Sequence, residues 1–149
     1  MLPRKCDSGG ENTVKPTHAD AEILLRLVEL AQSEQMVKAQ KWLWRDFSDE
    51  DFEEFQERYP RGSDGESYCM TISSFWETAG VLLYYKLINK DLLFDRFMPE
   101  PHWEKLKFIT QGMRKAYKAP GIAENFEWIA QEAAKWRKSH KSRILPNAK

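Results

Sequence analysis

YCMTISSFWETAGVLLYYKLI, residues 68–88, decides the fold of this chain: its only charges are Glu77 near the middle and Lys86 near the end. The stretch has no period-two alternation. Its bulky apolar residues, Ile72, Phe75, Trp76, Ala79, Leu82, Leu83 and Leu87, recur in the three- and four-residue steps of a helix. The spacing predicts a long apolar helix over about Glu66 to Ile88. Ser67 to Tyr85 approaches the roughly 20 residues needed to cross a bilayer. A carboxylate at the centre is expensive in lipid, and Thr71, Ser73, Ser74, Thr78 and Gly80 lower the hydropathy, so the stretch reads as the central helix of a packed core.

Outward from it, the pattern stays helical. Pro16-Thr17 precedes a run in which Ile23, Leu27, Leu30, Ala31 and Trp42 keep helical spacing, predicting a first helix from about Ala19 to Trp44. Ser48 stands three residues before Asp51 in a capping-box arrangement, opening a second helix with Phe52, Phe55 and Tyr59 on one side. Pro60 and the segment Arg61–Gly65 close it. After the central helix come a short one, Asp91 to Phe97, halted by Pro99 and Pro101, and a fifth that starts near His102 and carries Trp103, Leu106, Ile109, Met113 and Tyr117. The last carries Phe126, Ile129, Ala130, Ala133 and Trp136. Nothing between Thr17 and Ser142 reads as a strand. The expected fold is all-α: one helical bundle of five or six helices around the long central one.

Residues 1–16 are expected to form a disordered tail, 17–143 the helical domain and 144–149 a flexible C-terminus. A chain of 149 residues suits one domain,. Twenty-three basic residues balance 23 acidic ones, which leaves no net field to draw the whole molecule to nucleic acid or an anionic membrane,. The two cysteines, Cys6 and Cys69, form no framework and no ligand spacing. They suit a reducing compartment, and with no secretory signal in the N-terminal residues the expected location is cytoplasmic.

Phe75-Trp76-Glu77-Thr78-Ala79-Gly80, then Leu87-Ile88-Asn89-Lys90-Asp91-Leu92-Leu93-Phe94-Asp95, Trp103-Glu104-Lys105-Leu106, Arg114 and Asn125-Phe126-Glu127-Trp128 resemble a prokaryotic family of helical proteins classed as a domain of unknown function. The similarity spans roughly Ala39 to Ala134. It implies a helical fold and brings no activity, cofactor or catalytic residue to carry over. Members often resemble membrane-anchored proteins with spans ahead of the domain, a feature the N-terminal residues here do not share.

Glu77 organises the search for a site, because an unpaired buried charge costs several kcal/mol or more. Either it is a structural carboxylate satisfied by an Arg, a Tyr hydroxyl or a backbone amide, or it is a general base in a small pocket. Arg114, beside Met113 on the edge of an apolar stripe, is the first choice of partner, and Arg26 the second. A Glu77–Arg114 pair would hold two helices in register.

His18, His102 and His140 are scattered, with no HExxH or Glu-x-x-His spacing, and the acidic run Asp46–Glu57 lacks the glycine and alternating donors of a calcium loop, so no metal and no cofactor is expected. Arg96 and His102 match the Arg-x(4–6)-His signature of helical ribonucleases from prokaryotic toxin and defence systems, in which such a pair works at a phosphodiester. Here Phe97-Met98-Pro99-Glu100-Pro101 lies between them, and the two prolines favour a rigid turn. Lys135, Arg137, Lys138, Lys141 and Arg143 form a basic C-terminal run. It reads either as the favourable cationic end of a helix or as a surface for phosphate or membrane, and the acidic Asp46–Glu57 stretch could fold against it.

Two function classes result. The preferred one is a non-enzymatic helical interaction or regulatory module that meets a protein partner, or itself, through surface aromatics such as Trp44 and Trp128. The alternative is an RNA-binding or RNA-cleaving protein using Arg96, His102 and the basic run.

Overall fold

A computed structural model of the chain describes residues 14–144. The tail expected over residues 1–16 therefore lies outside the described residues up to 13, as does the C-terminus from 145 on. The described part holds seven α-helices, one π-helical turn and no strand, so the all-α architecture stands with more helices than the five or six expected.

The first long helix is in fact two helices and a turn: α1 (His18–Ala31), α2 (Glu34–Lys41) and a π-helical turn (Trp42–Asp46). Apolar spacing runs through the break, but Ser33 accepts the Met36 N–H at 3.3 Å and starts a new helix,. Leu30, on the apolar spacing of the expected helix, is exposed. In the π turn the Phe47 N–H reaches the Trp42 carbonyl at 2.9 Å, five residues back,. The wider turn lets Trp42, Leu43 and Phe47 all face inward, with the Trp42 and Phe47 rings 4.9 Å apart.

The second expected helix is α3 (Phe52–Arg58), capped by Asp51, which accepts the Glu53 N–H at 2.7 Å; Ser48 is not the cap. The central helix is α4 (Asp64–Tyr84). It stops short of Ile88 because Lys86 adopts a left-handed conformation with φ 57°, and the Lys86 and Leu87 N–H groups bond the Leu83 and Leu82 carbonyls, each at 2.9 Å,. That turn swings Leu87 outward, 55% exposed instead of in the core, and puts Ile88 inside.

Then follow α5 (Lys90–Arg96), capped by Asn89, and α6 (Glu100–Tyr117), which starts two residues before His102 because Pro101 sits in the first turn, where its missing donor is not needed,. Tyr117, at the open end of α6, is exposed. The last helix is α7 (Glu124–Ser139).

Helix α4 lies in the middle, with α7 along one flank and α2 along the other; α6 packs on α7 and α3, and α5 on α1 and α7. Ile72 and Trp76 of α4 meet Leu106 and Ile109 of α6 and Phe126 and Ile129 of α7 in the buried core. The start of α1 is tied to the start of α5. Asp20 accepts the Thr17 N–H at 2.7 Å and the Asn89 N–H at 2.9 Å, and these bonds, Thr17 first, hold its carboxyl below the usual range. Among the described residues, no helix is long and apolar enough to cross a membrane.

The α4–α7 contact is set by Gly80, where an added Cβ would lie 2.5 Å from the Asn125 carbonyl oxygen. Gly80→Ala should destabilise the fold by about 1–3 kcal/mol through overpacking, despite roughly 1 kcal/mol of better helix propensity. Gly121→Ala, where the added Cβ meets open space, should not. Urea denaturation of the two variants checks this.

Candidate functional site

Helix α7 begins without a cap of its own. Ala123 precedes it in a left-handed conformation, φ 53°, and offers no side-chain acceptor to the free N–H groups of the first turn,. Glu77 of α4 supplies it from across the interface: one carboxylate oxygen accepts the Phe126 N–H at 2.9 Å, and the other accepts the Asn125 side-chain amide at 2.8 Å. Glu77 is half-buried, and it stands one helical turn before Gly80, so the close approach and the cap belong to one face,. A carboxylate at this end of a helix also meets the positive end of its dipole.

The expected Glu77–Arg114 pair does not form. Arg114 of α6 bonds the Ile122 carbonyl through Nε at 2.8 Å and Glu127 through Nη1 at 2.7 Å. Both residues therefore act at the same place, the entry to α7, but on different partners, because Glu127 lies one turn into α7 and reaches Arg114 first. Arg26, the second choice, is exposed on α1.

Beside Glu77, a cavity of about 250 Å³ lies between α4, α6 and the loop into α7, lined by Cys69, Ser73, Thr110, Met113 and Ile122 among others. Burial pushes the Cys69 thiol up to about 12. It is an unreactive thiol at neutral pH.

Arg96 and His102 are not joined. Among the described residues, no hydrogen bond or ion pair links them. Arg96 ends α5 in solvent, its guanidinium 5.2 Å from the Phe97 ring centre. His102 turns inward, with its ring 5.4 Å from Trp76, its Nε2 2.8 Å from Gln40 Oε1 and its Nδ1 3.3 Å from the Met98 carbonyl. Trp44 Nε1–H donates to the same Gln40 oxygen at 3.0 Å, so both ring nitrogens of His102 face oxygen acceptors,. Neither ring nitrogen is presented to a substrate.

The basic run is largely neutralised. Arg137 bonds the Glu100 carboxylate and the Phe94 and Phe97 carbonyls, the last at 2.8 Å, and so braces the α5–α6 corner. Lys135 pairs with Glu132 at 3.1 Å and Arg143 with Asp95. Lys138 and Lys141 project into solvent. The acidic stretch does not fold against this run; its buried Asp49 pairs with Arg58 at 3.0 Å.

Of the two aromatics expected at the surface, Trp44 is exposed, with its Nε1–H on Gln40 and Lys105 Nζ 5.4 Å from its ring, whereas Trp128 is half-buried against Tyr84, with ring centres 5.5 Å apart. A larger exposed apolar group lies on α4 and its C-cap. Met70, Val81, Tyr84 and Tyr85 are 51%, 37%, 59% and 68% exposed. Ser67, Ser74 and Thr78 complete an outer face without a charge. The signal was present in the sequence: a helix uncharged over nineteen residues but for Glu77 must carry uncharged positions opposite its core face as well.

Because Arg114 has its own carboxylate, Glu77→Ala should cost what a lost helix cap costs, about 1–2 kcal/mol, with Glu77→Gln milder. Equilibrium denaturation measures both.

Burial holds the His102 pKa below its ordinary 6.5, the Met98 carbonyl opposing it. The unfolded chain then takes up the proton first, so the contribution of the neutral ring is complete above pH 6.5 and is lost as pH falls toward the folded value. Melting temperatures from pH 7.5 to 5 should therefore fall more steeply for wild type than for His102→Gln.

No curated protein and no solved structure matches the chain. A family model does, over residues 16–136, which takes in all seven helices up to Trp136 and with them Glu77, Gly80, Arg114 and Asn125. The chain belongs to the family described as a domain of unknown function, DUF4760.

Proposed function

We propose that this chain is a non-enzymatic helical interaction module that binds a protein partner through the outer face of α4. One observation carries the reading: every position opposite the core on α4 and its C-cap, from Ser67 to Tyr85, is uncharged, and the bulky ones stand in solvent. Protein interfaces are depleted of charge at their centres and enriched in Tyr and Met, whereas an ordinary solvated helix face carries Lys and Glu.

The interior polar groups support the same reading. Glu77, Arg114, His102 and Arg137 each bond a backbone group or a neighbouring helix. Their chemistry is used to join elements, which leaves the surface to meet other molecules. We place the protein in the cytoplasm, where a buried, unpaired Cys69 thiol is stable,.

A photoreactive phenylalanine analogue at position 81 or 85, irradiated in living cells, should give a discrete adduct. The same probe at exposed Glu104 on α6 should not. Absence of any adduct at 81 and 85 would remove the interaction reading.

A further inference from the structure

We infer that the cavity beside Glu77 binds a small aromatic amine, whose ammonium group meets the Glu77 carboxylate and whose ring fills the space between α4 and α6. Such a site goes beyond the partner reading of the outer face and does not depend on it.

Size and lining suit a ring. At about 250 Å³ the cavity exceeds the roughly 150 Å³ that holds a benzene molecule in a protein core,. Its walls are mainly apolar, with Ile109 and Met113 of α6 and Ile122 of the loop on one side and Cys69 and Met70 of α4 on the other. Met113, Met70 and Cys69 carry sulfur, which adapts to irregular shapes and packs well at the edge of an aromatic ring. Met70 and Ser74 are exposed, so the cavity opens to solvent along α4.

The polar groups select the charge of the ligand. Glu77 is the one charged residue of the lining, and no cationic side chain pairs with it among the described residues. Each of its oxygens accepts one hydrogen bond, from the Phe126 N–H or the Asn125 amide, and a carboxylate oxygen can accept two,. Arg114, the cation at the entry to α7, is paired with Glu127. A negative group with acceptor capacity to spare, in a lining with no positive side chain, favours a positive ligand with N–H donors and rejects a carboxylate or a phosphate. The Cys69 thiol, pushed up to about 12 by burial, adds no second charge. Among the described residues no group of three metal-ligating side chains forms, which points to an organic cation.

Thr110 supplies a second anchor on the α6 wall. It is only 4% exposed and lines the cavity. Thr71 and Thr78 donate to the carbonyl four residues back, whereas the Thr110 hydroxyl makes no hydrogen bond among the described residues. Buried hydroxyls are ordinarily paired, and a ligand in the cavity would provide the partner. An apolar pocket with a few converging polar groups is the usual form of a small-molecule site.

Titration of the full chain, with its methionine methyl groups labelled for NMR, tests this. The probe is phenethylamine, and 2-phenylethanol and 3-phenylpropionate are its neutral and anionic counterparts at constant ionic strength. The amine should shift Met70 and Met113 saturably, leave Met36 and Met98 in place, and bind about tenfold more tightly than the alcohol, while the acid should not bind. Glu77→Gln keeps an oxygen for the Phe126 N–H but loses the charge; it should weaken the amine about tenfold and leave the alcohol unchanged. Ser73→Leu, which places bulk on the α4 wall, should abolish the shifts, and the isosteric Thr110→Val should weaken the amine. Circular dichroism checks that each variant folds. No saturable shift of Met70 and Met113 by the amine overturns the inference. Equal affinity for the alcohol, or an amine affinity unchanged in Glu77→Gln, overturns the choice of a cation. Binding unchanged in both Thr110→Val and a folded Ser73→Leu overturns the placement.

Discussion

The carboxylate of Glu77 on the first turn of α7 is the contact on which the arrangement of this bundle depends. A helix that enters through a left-handed alanine has no acceptor of its own for its leading N–H groups, and such groups are costly to leave unmet away from water. The acceptor comes from α4, and the absence of a side chain at Gly80 lets the two backbones come close enough for it to reach. Once α7 is seated there, its far end has a fixed position. Trp136 then donates to Asp91 at 2.7 Å, and Arg137 clasps the carbonyls at the end of α5. The corner between α5 and α6 is thus held by a helix whose own start is held by α4.

Other charged side chains do the same work at other helix ends. Arg114 locks the loop into α7, Arg137 the corner before α6, and Asp20 the starts of α1 and α5. In each case a charged side chain meets backbone groups that a short helix or a tight loop leaves unpaired. Charge-assisted bonds of this kind are stronger than neutral ones. They suit a domain made of many short helices, which has many ends to satisfy.

The helical character of the chain could be read directly, because Ile72, Trp76, Ala79 and Leu83, or Leu106, Ile109 and Met113, repeat at the helical period whatever their neighbours are. The breaks could not. Gln32 and Ser33 interrupt α1 and α2 without disturbing the apolar period, so nothing in the spacing marks the cap. The end of α4 was hidden for a similar reason: lysine is not a residue that announces a left-handed turn. The importance of Glu77 was legible from its isolation, whereas its partner was not, since a backbone N–H has no letter in the sequence and arginine is the more visible candidate. The basic run misled in the opposite sense. Arg137 and Arg143 are adjacent to other cations in sequence and to Glu100 and Asp95 in space.

The π-helical turn at Trp42–Asp46 acts as a phase adjuster. One extra residue in a helical turn rotates everything after it by about 100° relative to an unbroken helix. Phe47 thereby reaches the cluster where it stacks on Phe108 at 6.1 Å, on the same side as Trp42. The segment is consequently a natural position for a one-residue gap: a sequence that shared every other feature but closed this turn as an ordinary helix would be one residue shorter between Ala39 and Phe47 and would keep the same core.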